Sequence, residues 1–179
     1  MNTYEFTLNI GNVSILSDND LLDIFASLQN SPCEDAFVGS VDEAMFIEFE
    51  RQAESLEAAI AQAIRDVESN KDFNLVVASV EGDLVSLGEA ADVTGVPKST
   101  LSKYKKGLYG GGGFPVPARK TNKKDPLCRL WDIAEWLYSK DKVSVDTVYT
   151  AKTISLFNNA LEARRYQTDK KYKQIASSI

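Results

Sequence analysis

Between residues 93 and 124 the chain holds no carboxylate and eight cationic side chains: Lys98, Lys103, Lys105, Lys106, Arg119, Lys120, Lys123 and Lys124. Cations at that density have one general chemistry, which is to attract phosphate oxygens and release the counterions condensed around a nucleic acid. Ser99, Thr100 and Ser102 lie among them, and hydroxyls of this kind bond either phosphates or base edges. These eleven residues are the candidate DNA-binding set.

Catalytic chemistry is poorly supplied by comparison. No histidine occurs in 179 residues, which removes the commonest general base and excludes Cys-His zinc sites and Ser-His triads. Cys33 and Cys128 stand far apart and read as reduced thiols. Asp18, Asp20 and Asp23 lack the glycine and terminal glutamate of a calcium loop. They read instead as carboxylates drawn to the positive end of a helix. Glu48 and Glu50 read as the solvated face of a sheet. The four glycines at 110–113 are not followed by Gly-Lys-Ser/Thr and come after a helix, so they read as a flexible connector rather than a phosphate loop. The expectation is a protein that is not an enzyme and uses no metal and no cofactor.

The elements around the basic stretch give it a shape. Ser86-Leu87-Gly88-Glu89 is a capping box that opens a helix with Leu87, Ala90 and Ala91 on its apolar face. Gly95 ends that helix in a tight turn, and Pro97 starts a second short one over 98–106, closed by Gly107. With Leu101 and Tyr104 turned inward, Lys98, Ser99, Ser102, Lys103 and Lys106 face out. Two short helices joined by a glycine turn, with the small Ala91 four residues before it, describe a helix-turn-helix. The second helix would place its first residues toward base edges in the major groove. Beyond the glycines, residues 114–119 and 126–131 are predicted to form a short ribbon with a basic tip, a wing beside the helix. Asp132-Ile133-Ala134-Glu135 is read as a second capping box, opening a helix that buries Ile133, Trp136 and Leu137. Trp131 and Trp136 read as core.

Together, the run from Leu84 to Leu101, the segment Gly113-Phe114-Pro115-Val116-Pro117-Ala118-Arg119, and Leu130-Trp131-Asp132 through Leu137 resemble the winged helix-turn-helix of the excisionase, AlpA and MerR-like DNA-binding proteins. The resemblance covers residues 83–140, about a third of the chain. It implies that the second helix reads the major groove, that the wing contacts the neighbouring backbone, and that the last helix closes the core. The long glycine run departs from the tightest members of that family.

Before this stretch the chain reads differently. Residues 4–10 alternate as a strand, and Ser17 opens a helix containing Leu21, Leu22, Ile24, Phe25 and Leu28. Residues 36–41 and 45–50 read as two strands around an Asp42-Glu43 turn. A helix from Ser55 to Asn70 carries Leu56, Ile60, Ala63, Ile64 and Val67 at spacings of three and four, and residues 73–80 form a fourth strand. The order β-α-β-β-α-β predicts an α+β, ferredoxin-like module over 1–82, followed by the winged helix-turn-helix over 83–142. A third segment, 143–179, is an amphipathic helix with Val145, Val148, Ala151, Ile154, Phe157 and Leu161 on one stripe, then a basic tail. That stripe either packs on its own chain or pairs with a twin subunit, and dimerisation is the expectation.

The formal charge of −6 conceals a division. Residues 1–83 carry 17 acidic and 3 basic side chains, whereas residues 84–142 are net +5 and the remainder net +3. An acidic total therefore does not argue against DNA binding. The acidic module would be repelled by a duplex and would suit a basic protein partner. No apolar run reaches the ~18 residues of a membrane span, and the N-terminus lacks a secretion pattern, so a cytoplasmic protein without membrane contact is expected. The functional expectation is a sequence-specific, double-stranded-DNA-binding transcriptional regulator, a repressor acting as a homodimer on an inverted repeat. Its rivals are an excisionase-like protein that bends DNA and an antitoxin-like or mobile-element regulator whose acidic module holds a partner protein.

Overall fold

The computed structural model describes residues 1–118 and 126–178. Arg119, Lys120, Lys123 and Lys124, and with them the predicted wing tip, lie outside the described residues. The chain divides into two compact units, one comprising Met1–Glu81 with Leu156–Ile179 and the other Gly82–Ser155.

The first unit begins with β1 (Asn2–Ser14), α1 (Asp18–Gln29), β2 (Ala36–Val41), β3 (Ala44–Ala53), α2 (Leu56–Glu68) and β4 (Val77–Val80). The four strands pair antiparallel in the order β2-β3-β1-β4. Strand alternation sorts the residues by face: Phe6, Leu8, Ile10, Met45, Ile47 and Phe49 are buried, while Glu5, Glu48 and Glu50 are exposed. The two helices supply the other half of that core, α1 through Ile24 and Leu28, α2 through Leu56, Ala59, Ile60, Ala63, Ile64 and Val67. Ser17 caps α1 in a full capping box with Asp20, so the Asp18–Asp20 pair serves the helix end as the sequence suggests. Asp42 and Glu43 both have positive φ, 48° and 67°. A two-residue hairpin turn with that twist matches the right-handed twist of its strands.

Two sequence expectations in this unit change. Leu22 and Phe25 are exposed, because only one side of α1 meets the sheet. The fourth strand is shorter than predicted: Asn74 takes φ +47°, and the Val76 N–H goes to the side chain of Asn12 rather than to a ladder. A buried charge also appears that composition alone does not reveal. Arg51 continues the inward series Met45, Ile47, Phe49 on β3 and is 8% exposed. Its guanidinium donates to both oxygens of Asp35 (2.8 and 2.7 Å), to Asp66 Oδ2 (2.7 Å) and to the Pro32 carbonyl (3.2 Å), and it lies 4.7 Å from the Phe49 ring centroid. The bonds to Asp35 hold the Arg51 proton more firmly than usual, outweighing the opposing effect of burial.

The second unit contains β5 (Leu84–Val85), α3 (Leu87–Thr94), α4 (Lys98–Lys105), β6 (Cys128–Arg129) and α5 (Leu130–Tyr138). Its core gathers Val85, Ala90, Val96, Leu101, Tyr104, Cys128, Leu130, Ile133, Ala134, Leu137 and Ala151. Strand pairing differs from the predicted ribbon. β6 pairs antiparallel with β5, and residues 114–118 form no strand. Pro115 and Pro117 remove two donors from that segment, so it cannot sustain a ladder; Ala118 N–H to Leu127 O, 2.9 Å, is the link it makes across. The predicted capping box at Asp132 is also displaced. α5 starts at Leu130, whose N–H bonds the Asp83 carbonyl at 2.8 Å, and Asp132 sits inside the first turn. Trp131 is accordingly helical rather than part of a strand.

α6 (Val145–Tyr166) and α7 (Lys170–Ala176) complete the chain. The division between units falls within α6: the helix up to Ser155 belongs to the second unit and the rest to the first. Ala151, Ile154 and Leu161 of the predicted stripe are buried within the single chain, whereas Val145 is exposed. The central part of that stripe is therefore already covered without a twin subunit. In the first unit α6 seals one sheet edge. Asn158 donates to the Val80 carbonyl (2.8 Å) and accepts from the Val80 N–H (2.7 Å), imitating a neighbouring strand. Arg164 forms a two-pronged pair with Glu68 (2.8 and 2.6 Å) and reaches the Val77 carbonyl at 3.3 Å. The basic tail is thus partly committed: Arg164 is paired, and the Tyr166 and Tyr172 rings stack 5.9 Å apart.

Candidate nucleic-acid interface

The site is built on α3, the turn at Gly95, and α4. Ser86 accepts from the Glu89 N–H, and Glu89 returns a 2.6 Å bond to the Ser86 N–H, so both free donors at the start of α3 are satisfied. Gly95 leaves α3 at φ +69° and donates to the Ala91 carbonyl. That left-handed conformation is the one glycine adopts without a steric cost. Val96 behind it is buried, and the Pro97 carbonyl accepts from Leu101 at 3.0 Å to start α4. At the other end Gly107 (φ +70°) donates to Tyr104 and Leu108 to Lys103. This is a Schellman closure, which uses up the last free carbonyls and stops the helix after two turns.

Helical spacing then decides what each side chain does. Leu101 is fully buried and Tyr104 is 9% exposed, both in the shared core. Lys98, Ser99, Lys103, Lys105 and Lys106 are exposed, and Thr100 and Ser102 are half-buried at the margin. Seven of the eleven predicted contact residues therefore lie on α4 and its C-cap Lys106, and their outer face carries four lysines. None of the ion pairs among the described residues uses them. Lys103 Nζ stands 5.6 Å from the Tyr109 ring centroid, a contact that leaves its charge available. Arg129, also basic, is different: it is held by Asp83 at 3.1 Å and by the Ser155 hydroxyl at 2.8 Å, and it serves the fold. Cys128 lies under this surface, and burial pushes its thiol up, as it does that of Cys33.

The glycine run is the feature that sequence reasoning misjudged. Gly110, Gly111, Gly112 and Gly113 all have positive φ, between 73° and 80°. The strand of backbone they form is fixed against Trp136, whose indole N–H donates to the Gly112 carbonyl at 3.2 Å. The same ring packs on Tyr104 and Phe114, at centroid distances of 4.9 and 5.2 Å. A Cβ at Gly110 would lie 2.6 Å from the edge of the Trp136 ring. Gly110→Ala is therefore expected to cost about 1–3 kcal/mol through overpacking and an unfavourable φ. A lowered melting temperature and a shifted tryptophan emission should report it, since Trp136 must move.

A family model for the helix-turn-helix, Psq domain, matches residues 54–110. No curated protein and no solved structure matches the chain. The matched stretch begins just before α2, takes in α2, β4 and β5, and contains α3, the Gly95 turn and α4. The chain thus carries a helix-turn-helix DNA-binding domain. The match ends before residues 114–140, where the features particular to the excisionase, AlpA and MerR-like proteins would lie. Among the described residues no helix is long and apolar enough to cross a membrane, and no group of three metal-ligating side chains occurs.

Proposed function

We propose that this chain is a sequence-specific transcriptional regulator that binds double-stranded DNA as a homodimer on an inverted repeat, and that it represses, its own promoter included. The observation that carries this reading is α4: Leu101 and Tyr104 lock the helix into the core, so Lys98, Ser99, Ser102, Lys103 and Lys106 are presented together on a face free of carboxylates. Such a helix enters the major groove by its N-terminal end. Lysine and serine contact both phosphates and base edges, so one short helix supplies register and readout together.

The finer readings rest on the sequence pattern. We propose that the second unit is of the winged type and that the cations Arg119, Lys120, Lys123 and Lys124 add to its attraction for phosphates. It belongs with the excisionase, AlpA and MerR-like proteins. The first unit is ferredoxin-like, a reading supported by the strand order β2-β3-β1-β4 and the sequence order of its helices. In this reading partner binding falls to 1–82 and DNA binding to 83–142, while 143–179 is shared between the two units. The acidic first unit binds a protein partner or a second copy rather than DNA. Binding, not catalysis, is the role.

Enrichment of duplexes from a random pool tests the proposal. An enriched inverted repeat with half-sites about one or two helical turns apart is expected. If six to eight cations meet phosphates, log affinity for it should fall against log salt with a slope of roughly −5 to −7. A pool from which no inverted repeat emerges would overturn the dimeric reader.

A further inference from the structure

The two edges of the sheet in the first unit are treated in opposite ways. β4 is sealed by Asn158 and Arg164, which occupy the outward groups of Val80 and Val77. β2, at the other edge, has no strand beyond it among the described residues. Proteins normally blunt such an edge with lysine, proline, a bulge or a covering segment. Ala36-Phe37-Val38-Gly39-Ser40-Val41 has no charge and no proline, and its ladder with β3 runs without a bulge from Ala36↔Phe49 to Val41↔Ala44. Phe37 is 61% exposed and Val41 64% exposed.

We infer that β2 is a dimerisation edge, on which β2 of a second copy docks antiparallel about a two-fold axis through Gly39. This names the interface of the homodimer proposed above and rests on that reading. Register follows from strand geometry. In a two-residue hairpin the closing pair, Val41 and Ala44, exchanges hydrogen bonds, so Phe37, Gly39 and Val41 bond to β3 while Val38 and Ser40 direct theirs outward. Ala36 fits this alternation, since its N–H goes to the Cys33 carbonyl rather than to β3. Only an even register keeps like faces together. Pairing Val38 with Ser40 of the second copy satisfies the outward groups. It also sets Phe37 opposite Val41 of the second copy, twice by symmetry, at the closer non-hydrogen-bonded spacing.

A second copy fits this edge because it is self-complementary: the strand itself carries no charge, and its two exposed apolar residues lie symmetrically about Gly39. The register does bring Asp42 and Glu43 of one copy beside Glu34 and Asp35 of the other, with Asp35 already paired to Arg51, so association should strengthen with salt. Away from the strand ends, repulsion between the acidic copies is limited. Glu48 and Glu50 lie on β3, and in the joined sheet the two β3 strands stand three strand spacings apart, about 14 Å. That exceeds the Debye length of about 8 Å at physiological salt. A six-residue edge is small beside a standard interface of roughly 1,600 Å². Association should therefore be modest in free solution and rise on DNA, where the half-sites hold two copies together.

The test uses the full chain. Sedimentation of the unmodified protein, loaded from about 1 µM upward, should show a monomer–dimer equilibrium. The Phe37→Lys/Val41→Lys double variant should remain monomeric over the same range with an unchanged circular dichroism spectrum and melting temperature, both positions being exposed. Its affinity for a single half-site should be unchanged, and its affinity for the full repeat should fall at least tenfold. A register probe makes the result specific. In Phe37→Cys/Val41→Cys, the two positions of one strand lie about 13 Å apart, too far for a disulfide, which needs Cα atoms within about 7 Å. Oxidation should therefore yield covalent dimers. An unmodified chain that stays monomeric in solution and on the full repeat overturns the homodimer itself. A dimer that survives the double lysine variant and does not cross-link overturns the β2 interface alone.

Discussion

Lys103→Glu should weaken binding to the enriched duplex by about 30- to 1,000-fold at moderate salt. Lys103 is exposed on α4 and free of ion pairs among the described residues. The substitution replaces an attraction to phosphate with a repulsion of similar size, and at surface-like dielectric that change is about 2–4 kcal/mol. One phosphate contact is lost as well, so the salt slope should shrink by about 1. Fluorescence anisotropy across a salt series measures both quantities. Helical content should be unaffected, because Leu101 and Tyr104 hold α4 from the other side. Unchanged affinity would mean that the lysines of α4 form only a solvated face, and the recognition role would fall with it.

Arg51→Ala is expected to be the most damaging single change to the first unit. The side chain is 10% exposed, as is that of its partner Asp66, and Asp35 stands at 29%. Its removal leaves Asp66 in the interior with only the amide of Gln62, 2.7 Å away, among the side-chain partners that remain. An uncompensated buried charge of this kind costs about 3–5 kcal/mol, a fall of roughly 12–20 °C in the melting transition of a unit of this size. The cost belongs to the broken pair rather than to attraction alone. Replacing Arg51 and Asp66 together with Met and Leu should therefore destabilise less than Arg51→Ala does by itself. Chemical denaturation of the single and double variants measures the difference. Equal losses would show that the ion pair is incidental to the packing of Arg51 against Phe49.

What could be read in the sequence was whatever depends on neighbours within a few residues. The helix start at Ser17, the capping box at Ser86, the left-handed turn at Gly95 and the Asp42-Glu43 hairpin all appear where local chemistry places them. The outward face of α4 was legible for the same reason: two buried anchors at a spacing of three fix the direction of every other residue on a helix. Asp132 marks the limit of such reasoning. The residue has the right type for a cap, but the Leu130 N–H finds the Asp83 carbonyl, far away in sequence, and the helix starts earlier. The glycine run likewise has no local signature of order. Its conformation is set by the indole of Trp136, over twenty residues on.

The sequence by itself determined the division of charge, the helix-turn-helix and the residues it presents. Composition and short-range periodicity act before any long-range contact forms. Only the tertiary structure decided that Arg51 is a buried ion-pair centre, that Arg164 and Asn158 serve a sheet edge rather than a free tail, and that β2 is the edge left open. Those outcomes depend on which backbone donors and acceptors, distant in sequence, end up without a strand beside them, and strand order is set by the closing of the whole sheet rather than by any one segment.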